Sequence, residues 1–493
     1  MLTRIKTLGH RLLIPGETLR HRVIHAGFWA FALRIADRLF GLARTIILAR
    51  LLSPEDFGLF GIATLALSAL EAFSQIGFQA ALIQKKGDVK PYLDTAWTVQ
   101  VLRGFALAGI LAASAPVVAG FFNEPRAAML LRVLALSELA RGFTNIGVVF
   151  FQKELEFHKQ FVYMLSGTLA DLSVSILLAL LLRNAWALAY GLLASSAVRV
   201  IFSFFVCSFR PKLQLELNKA RELSFFGRWI FASNILVFLL NHADDVLVGK
   251  LLGATALGFY QMAYGISNLP ATEITHVISQ VTFPAYSKLQ DRLSQLRQAY
   301  LQTLQVTALL SFPIAAAIAF LAPAFSRIFL GEQWMPMVPA MQILAIWGLS
   351  RSIAATTGPL FSGMGVPRLS TWLQLIKLIL MGVFVYPFTV LWGISGTALA
   401  VTVSALIVDP ISIYVATKIL RSRVSCTMRV FLTPAIGGMT MLLSMALLSH
   451  LATKALTLGI FLGHVALGGV VYTTTIVMLD RKSVQQLWRL VFK

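Results

Sequence analysis

Long apolar stretches follow one another along almost the whole chain, and this pattern constrains the fold more than any other feature. A transmembrane α-helix needs about 20 consecutive, mostly apolar residues. Because backbone polar groups must be satisfied within the bilayer, the pattern predicts an all-α polytopic membrane protein with about 14 transmembrane helices. The predicted spans are 26–50, 57–83, 93–122, 127–151, 161–182, 186–208, 229–250, 257–285, 301–326, 338–364, 371–391, 394–417, 430–452 and 457–479.

The composition argues against a soluble enzyme and gives no sign of catalysis. Of the 493 residues, 57% are hydrophobic and only 13% are charged, whereas a soluble domain carries about 25% charged residues. The two cysteines form no disulfide framework and no metal-binding spacing. The sequence contains no phosphate-binding glycine loop and no hydrolase or metalloprotease motif. We therefore expect no catalytic residue, no metal and no cofactor.

The net charge of +21 is explained by orientation in a membrane rather than by nucleic-acid binding. If the N-terminus is cytoplasmic, the predicted inner segments hold 27 Lys and Arg, and the outer segments hold 4. Such an asymmetry across short loops follows the positive-inside rule. It predicts that both termini are cytoplasmic. The outer loops are also too short to hold the substrate of a membrane-embedded enzyme.

A short repeat predicts two lobes of similar fold. Residues 50–60 (RLLSPEDFGLF) and 250–260 (KLLGATALGFY) share a pattern at an offset of 200. Two copies in the same orientation imply a parallel repeat of two six-helix lobes, although a chance match of a short apolar motif is the alternative. The predicted segments are a basic tail (1–25), an N-lobe (26–208), a cytoplasmic linker (209–228), a C-lobe (229–417), two C-terminal helices (430–479) and a second tail (480–493).

Basic residues inside the predicted spans suggest an anionic substrate. Arg34, Asp37, Arg38 and Arg44 fall on one face of the first helix, with Phe31, Ala32, Leu39 and Ile46 opposite. Lipid does not accept such a face, and guanidinium groups match phosphate oxygens. The predicted substrate-binding residues are Arg34, Arg38, Arg44, Arg103, Arg141 and Arg351. The alternative is a structural ion-pair network with Asp37, Glu71 and Asp171, while snorkelling explains Arg50, Arg132, Arg199 and Lys250.

Acidic residues inside the spans are candidates for ion coupling. Asp244 and Asp245 are adjacent carboxylates in the seventh span, and such a pair favours binding of a proton or a sodium ion. Asp37 and Glu71 are the other two candidates. Salt bridges to Lys250, or to arginines of the other lobe, are the alternative interpretation.

At this point the sequence resembles a known family. Residues 47–86 (ILARLLSPEDFGLFGIATLALSALEAFSQIGFQAALIQKK) are similar to the opening signature of Wzx-type polysaccharide flippases. Residues 246–264 (VLVGKLLGATALGFYQMAY), with the F-P-A-Y segment at 283–286, look like its counterpart in the second lobe. These flippases belong to the multidrug/oligosaccharidyl-lipid/polysaccharide exporter superfamily, and the resemblance covers nearly the whole chain.

The resemblance implies a flippase of the bacterial inner membrane. Its two lobes would rock between inward-open and outward-open states and pass undecaprenyl-pyrophosphate-linked oligosaccharide repeat units outward. The expected partners are this lipid-linked substrate, membrane lipids, and a polysaccharide polymerase with its chain-length machinery; the protein itself is expected to be a monomer. One alternative is a lipid II flippase, whose lipid substrate also has a pyrophosphate headgroup. The other is a cation-coupled multidrug antiporter of the same superfamily.

Overall fold

The computed structural model describes residues 19–74, 81–83, 88–451 and 457–480. Within these residues the chain is helical and contains no β-strand. The predicted N-terminal tail up to residue 18, and the C-terminal tail after residue 480, lie outside the described residues. In chain order the α-helices are α1 Leu19–Leu51, α2 Pro54–Ala72, α3 Lys90–Phe122, α4 Ala127–Gly142, α5 Val149–Lys153, α6 Phe157–Leu182, α7 Trp186–Val206, α8 Leu217–Ser267, α9 Leu269–Leu289, α10 Leu293–Phe325, α11 Val338–Ala354, α12 Thr357–Gly363, α13 Pro367–Ile419, α14 Val424–Leu451 and α15 Leu458–Leu479.

The helices are those of a multi-pass membrane protein. Eight helical segments of the described residues are long and apolar enough to cross a bilayer, or nine if the bent pair Ala127–Gly142 and Ile146–Lys153 forms one span. The predicted all-α polytopic fold is therefore confirmed. The count of fourteen spans stays a prediction.

Two glycines interrupt helices that are too long to be single spans. Helix α8 has 51 residues and α13 has 53. Gly253 adopts φ +84° in α8, and Gly393 adopts φ +57° in α13, values that residues with a Cβ rarely adopt. Both breaks coincide with turns that the sequence predicted, at 251–256 and at 392–393. The chain therefore kinks at both predicted turns, including the one at 392–393, where the apolar stretch is almost uninterrupted.

The chain divides into two compact units. The first contains the described residues up to Ala243 together with Gly253–Thr255, and the second contains Asp244–Leu252 with the described residues from Ala256 onwards. Within the first unit α1 packs on α6, α6 on α7, and α3 on α4. Within the second, α10 and α13 pack on α11, and the α14–α15 pair packs on α10. The predicted lobe boundaries and the parallel repeat stay predictions.

The first copy of the repeated motif ties together one end of the first unit. Ser53 and Asp56 form a capping box at the start of α2, in which Asp56 Oδ2 accepts a hydrogen bond from Ser53 N at 3.0 Å. Asp56 Oδ1 also accepts from the backbone N–H of Ala185, before α7, at 2.9 Å. Glu55 pairs with Arg126 in the turn between α3 and α4. This part of the signature therefore joins three turns.

Candidate functional site

The charged face of α1 is turned into the first unit. Arg34, Asp37, Arg38 and Arg44 are all half-buried. On the other side of the same helix, Phe31 and Leu39 are 59% and 62% exposed. This is the arrangement expected of an amphipathic helix whose polar face avoids lipid.

Two contacts from α1 to α6 hold this face in place. Thr168 Oγ1 donates a hydrogen bond to Asp37 Oδ1 at 2.6 Å. About two turns along α1, Arg44 Nε lies 3.0 Å from Asp171 Oδ2. Both partners are on α6, 127 or more residues further along the chain. The pair between Arg44 and Asp171 is one that the sequence offered as the structural alternative to phosphate binding.

A second charged cluster joins α2, α3 and α4. Arg141 pairs with Glu71 and with Glu138, the latter at 2.6 Å. Arg103 reaches the end of α2, where its Nε donates to Ser74 O at 3.1 Å and a terminal nitrogen donates to Ser74 Oγ at 2.9 Å. Arg103 and Arg141 therefore have protein acceptors, and a phosphate would have to compete with the two carboxylates for Arg141.

Helices α3 and α4 can approach closely near this cluster because each has a glycine at the contact. A Cβ on Gly104 would lie 2.8 Å from the Cα of Gly142. Small residues at such positions allow helix backbones to pack tightly in membranes. The close approach brings Arg103 on α3 and Arg141 on α4 to neighbouring positions beside the end of α2.

The remaining predicted site residues lie in the second unit. Arg351 donates to Tyr264 Oη at 3.0 Å, and its guanidinium lies 5.0 Å from the centre of the Trp347 ring. Asp244 and Asp245 are buried, with 2% and 6% of their surfaces exposed. Tyr260 Oη donates to Asp244 Oδ2 at 2.6 Å, and the Tyr260 and Tyr264 rings are 6.2 Å apart.

The same unit contains a buried ion pair that the sequence did not suggest. Lys377 Nζ lies 3.0 Å from Asp409 Oδ1, and Ser350 donates to Asp409 Oδ2 at 2.8 Å. Lys377 and Asp409 lie on either side of the break at Gly393 in α13. Their charges cancel within the unit, so Lys377 adds little to the positive field that the sequence predicted.

A match to a family model decides which family the chain belongs to. The model for the family described as "Polysaccharide biosynthesis protein" matches residues 47–339, more than half of the chain. The chain belongs to this family of polysaccharide biosynthesis proteins. The match begins at the residues whose resemblance to Wzx-type flippases was noted in the sequence, and that prediction is confirmed.

Two curated relatives match this chain over most of its length. The lipopolysaccharide biosynthesis protein WzxC of Escherichia coli is 26% identical over 397 residues, 80% of each chain. The succinoglycan biosynthesis transport protein ExoT of Rhizobium meliloti is 24% identical over 452 residues, 90% of each chain. The fold is similar to that of the lipid II flippase MurJ in an inward closed conformation, with a TM-score of 0.76, 15% identity, and coverage of 92% of this chain and 100% of that one.

The sequence also did not reveal the surroundings of Arg199. Arg199 was assigned to snorkelling near the end of α7, but its stem and Nε lie against Gly167 of α6. The exposed residues of the same part of α7 are Ile201 and Phe205, which point to the opposite side of the helix. A glycine facing an arginine on the neighbouring helix is the signal that could have revealed this contact.

No cluster suited to a metal ion is found in the part of the chain that the structure describes. Among those residues no group of three or more His, Cys, Asp and Glu side chains is placed to hold one. Cys207 is buried and Cys426 is exposed, and both are free thiols.

Proposed function

We propose that this protein is a flippase that moves undecaprenyl-pyrophosphate-linked oligosaccharide repeat units across the bacterial inner membrane for surface polysaccharide biosynthesis. The observation that carries the proposal is family membership together with long matches to WzxC and ExoT, whose names link them to lipopolysaccharide and to succinoglycan transport. The similarity to MurJ supports the transporter fold alone, because the two chains are 15% identical.

The charge of α1 supports an anionic headgroup as the part of the substrate that the protein holds. A pyrophosphate diester presents oxygens that guanidinium groups bind in a bidentate manner. Arg34 and Arg38 are half-buried on the polar face of α1. We assign them the main headgroup contacts, with Arg44, Arg103, Arg141 and Arg351 contributing to the positive field that attracts the headgroup.

Transport by two alternating lobes is directional if a coupling ion binds one of the two lobe arrangements more tightly than the other. Asp244 and Asp245 are our leading coupling residues, since both are buried carboxylates in the predicted seventh span. Asp37 and Glu71 remain candidates, although Asp37 accepts a hydrogen bond from Thr168 and Glu71 pairs with Arg141.

The finer features of the proposal rest on the sequence and on the family resemblance. Both termini are cytoplasmic by the positive-inside rule, the protein acts as a monomer, and it is a transporter rather than an enzyme. A polysaccharide polymerase and its chain-length machinery accept the flipped repeat units on the far side of the membrane.

A deletion strain tests the proposed function. Loss of the gene should abolish surface polysaccharide and cause lipid-linked repeat units to accumulate on the cytoplasmic side, and the wild-type gene should restore export. Normal polysaccharide with a failure of peptidoglycan synthesis would favour the lipid II flippase instead. Normal polysaccharide with increased sensitivity to cationic drugs would favour a multidrug antiporter.

A further inference from the structure

We propose that Arg199, held in place by Gly167, is a phosphate-binding residue within the first unit; the inference rests on the proposed function and names a residue of its headgroup site. Arg199 lies seven residues before the end of α7. It differs from Arg44, Arg103 and Arg141 because it forms no hydrogen bond or ion pair with a described residue.

The guanidinium of Arg199 has no acceptor among the described residues. Its Nε is closed off from solvent without a hydrogen-bond partner, and no described carboxylate forms an ion pair with it. Arg103 and Arg141, by contrast, donate hydrogen bonds to protein oxygens. The Arg44 Nε also has no hydrogen-bond partner, but it forms an ion pair with Asp171. A buried donor without a partner needs an explanation in a native fold, and a bound anion is one that fits a guanidinium.

The contact with Gly167 keeps the side chain inside the unit. A Cβ on Gly167 would lie 2.2 Å from Arg199 Nε and 2.5 Å from its Cγ, so only glycine leaves room for the arginine stem. Ile201 and Phe205, which are 53% and 80% exposed, occupy the opposite face of α7. The guanidinium therefore does not reach the lipid headgroups by running along the outside of the helix.

The nearest acid does not neutralise Arg199. Asp171 lies close enough to attract it electrostatically, but Asp171 Oδ2 is already paired with Arg44 Nε at 3.0 Å. The second oxygen, Oδ1, is buried without a hydrogen-bond partner and packs over Gly191. One carboxylate thus faces two guanidinium groups, and this part of α1, α6 and α7 has a surplus of positive charge.

An oxyanion is the chemical class that completes this arrangement. A guanidinium presents several N–H donors in a planar fork that matches two oxygens of a phosphate group. Binding would satisfy the donors of Arg199 while Asp171 continues to hold Arg44. The phosphate can belong to the pyrophosphate headgroup of a lipid-linked substrate or to a free phosphate species, and the experiment separates the two.

The test measures binding of inorganic pyrophosphate to the full-length protein in phosphatidylcholine nanodiscs by calorimetry at constant ionic strength. Arg199→Gln should weaken binding about 10- to 100-fold, the range expected when a charge-assisted pair is removed. Gly167→Ala keeps the charge but displaces the side chain, and it should weaken binding to a similar extent. Arg132→Gln, an exposed arginine of α4, and Gly109→Ala, which has open space around it, are the matched controls.

Several outcomes would overturn the proposal. It fails if wild-type protein does not bind pyrophosphate, if chloride binds equally well, or if Arg199→Gln binds with wild-type affinity. If Arg199→Gln does not fold, Gly167→Ala and Arg199→Lys decide the question, since both keep a cation in the helix. Unchanged affinity in both of these variants would also overturn it.

Two further arms identify the source of the phosphate and separate this inference from the proposed function. Undecaprenyl pyrophosphate in the nanodisc should compete with inorganic pyrophosphate; failure to compete would overturn the assignment to a lipid headgroup. Export is scored separately in the deletion strain. If wild-type protein restores export and Arg199→Gln does so equally, the inference falls while the flippase assignment stands, and if wild-type protein does not restore export, the flippase assignment falls.

Discussion

Arg44 on α1 and Asp171 on α6 form an ion pair across two helices of the first unit, with 3.0 Å between Arg44 Nε and Asp171 Oδ2. About one fifth of each side chain is exposed. The pair therefore fixes the rotation of the charged face of α1 relative to α6. It also assigns Arg44 an internal partner, so that positive charge in excess of acid must come from other arginines of this region.

Substituting one partner of this pair should destabilise the protein more than substituting both partners together. Arg44→Ala and Asp171→Ala should each lower the free energy of unfolding by about 3 kcal/mol, because each leaves a partly buried charge without its partner. The double variant should recover much of that loss. Thermal unfolding of purified protein in detergent measures all three variants. Losses that simply add in the double variant would show that the two residues do not interact.

The turn before α2 that contains Ser53 and Asp56 should be a structural element rather than part of the substrate site. Asp56→Ala removes half of the capping box and leaves the Ala185 N–H without its acceptor, which should cost about 1–2 kcal/mol of stability. Asp291→Ala, which removes an exposed carboxylate that forms no hydrogen bond or ion pair with a described residue, is the control. The thermal midpoint should fall for Asp56→Ala alone, with the transport rate per folded molecule unchanged. A selective loss of transport at normal stability would mean that Asp56 acts on the substrate.

Close packing of α3 and α4 should depend on Gly104. A Cβ at this position would lie 2.8 Å from the Cα of Gly142, while a Cβ at Gly109 meets nothing within 4 Å. Gly104→Leu should therefore lower the thermal stability and disturb the neighbouring contact between Arg103 and Ser74, whereas Gly109→Leu on the same helix should not. The comparison uses equal changes in helix propensity and hydrophobicity, so that only packing differs. Equal effects of the two substitutions would contradict the packing argument.

The apolar pattern was sufficient to predict the fold, because a bilayer requires long helices and leaves few other solutions. The polar face of α1 and the break at Gly393 were also predictable, since both depend on local sequence. Partners were not predictable in the same way. Asp171 and Arg44 are 127 residues apart, and only the packing of α6 on α1 brings them together.

The charge of a residue within a predicted span is likewise not enough to predict what that residue contacts. Arg199 lies near the end of a predicted span, where snorkelling is the usual explanation. Its contact with Gly167 depends on the rotation of α7 against α6, and helix rotation is set by side-chain packing rather than by the sequence of one helix. The same holds for Lys377 and Asp409, which meet only because the chain turns at Gly393.

Arg38 should be required for export but not for folding. Arg38→Ala removes a guanidinium from the polar face of α1, and loss of a charge-assisted contact to a phosphate costs about 1.5–3 kcal/mol. We expect surface polysaccharide to be lost in the deletion strain that carries this variant, with normal amounts of protein in the membrane. Arg132→Ala, which changes an exposed arginine, should export normally. Wild-type export by Arg38→Ala would show that the charged face of α1 is structural.

Energy coupling should depend on the buried acids of α8. Two adjacent carboxylates in a low-dielectric span cannot both be ionised at low cost, and Tyr260 already donates a hydrogen bond to Asp244 Oδ2. We therefore expect one of the pair to hold a proton or to share a bound cation. Transport of lipid-linked repeat units into vesicles is measured with imposed proton or sodium gradients. Asp244→Asn should reduce the gradient-dependent rate about tenfold, since about 1.4 kcal/mol of differential ion binding corresponds to that factor.

The remaining variants decide what the result means. Asp245→Asn tests whether the effect belongs to one carboxylate, because neighbouring residues point about 100° apart on a helix and only one can face a given site. Tyr260→Phe removes the hydrogen bond to Asp244 while keeping both charges, so it should shift the ion concentration needed for half-maximal transport rather than abolish the response. Asp291→Asn outside the membrane is the control. If both asparagine variants keep full gradient-dependent transport, these acids are structural. If neither gradient changes transport by the wild-type protein, removal of the flipped product sets the direction of transport.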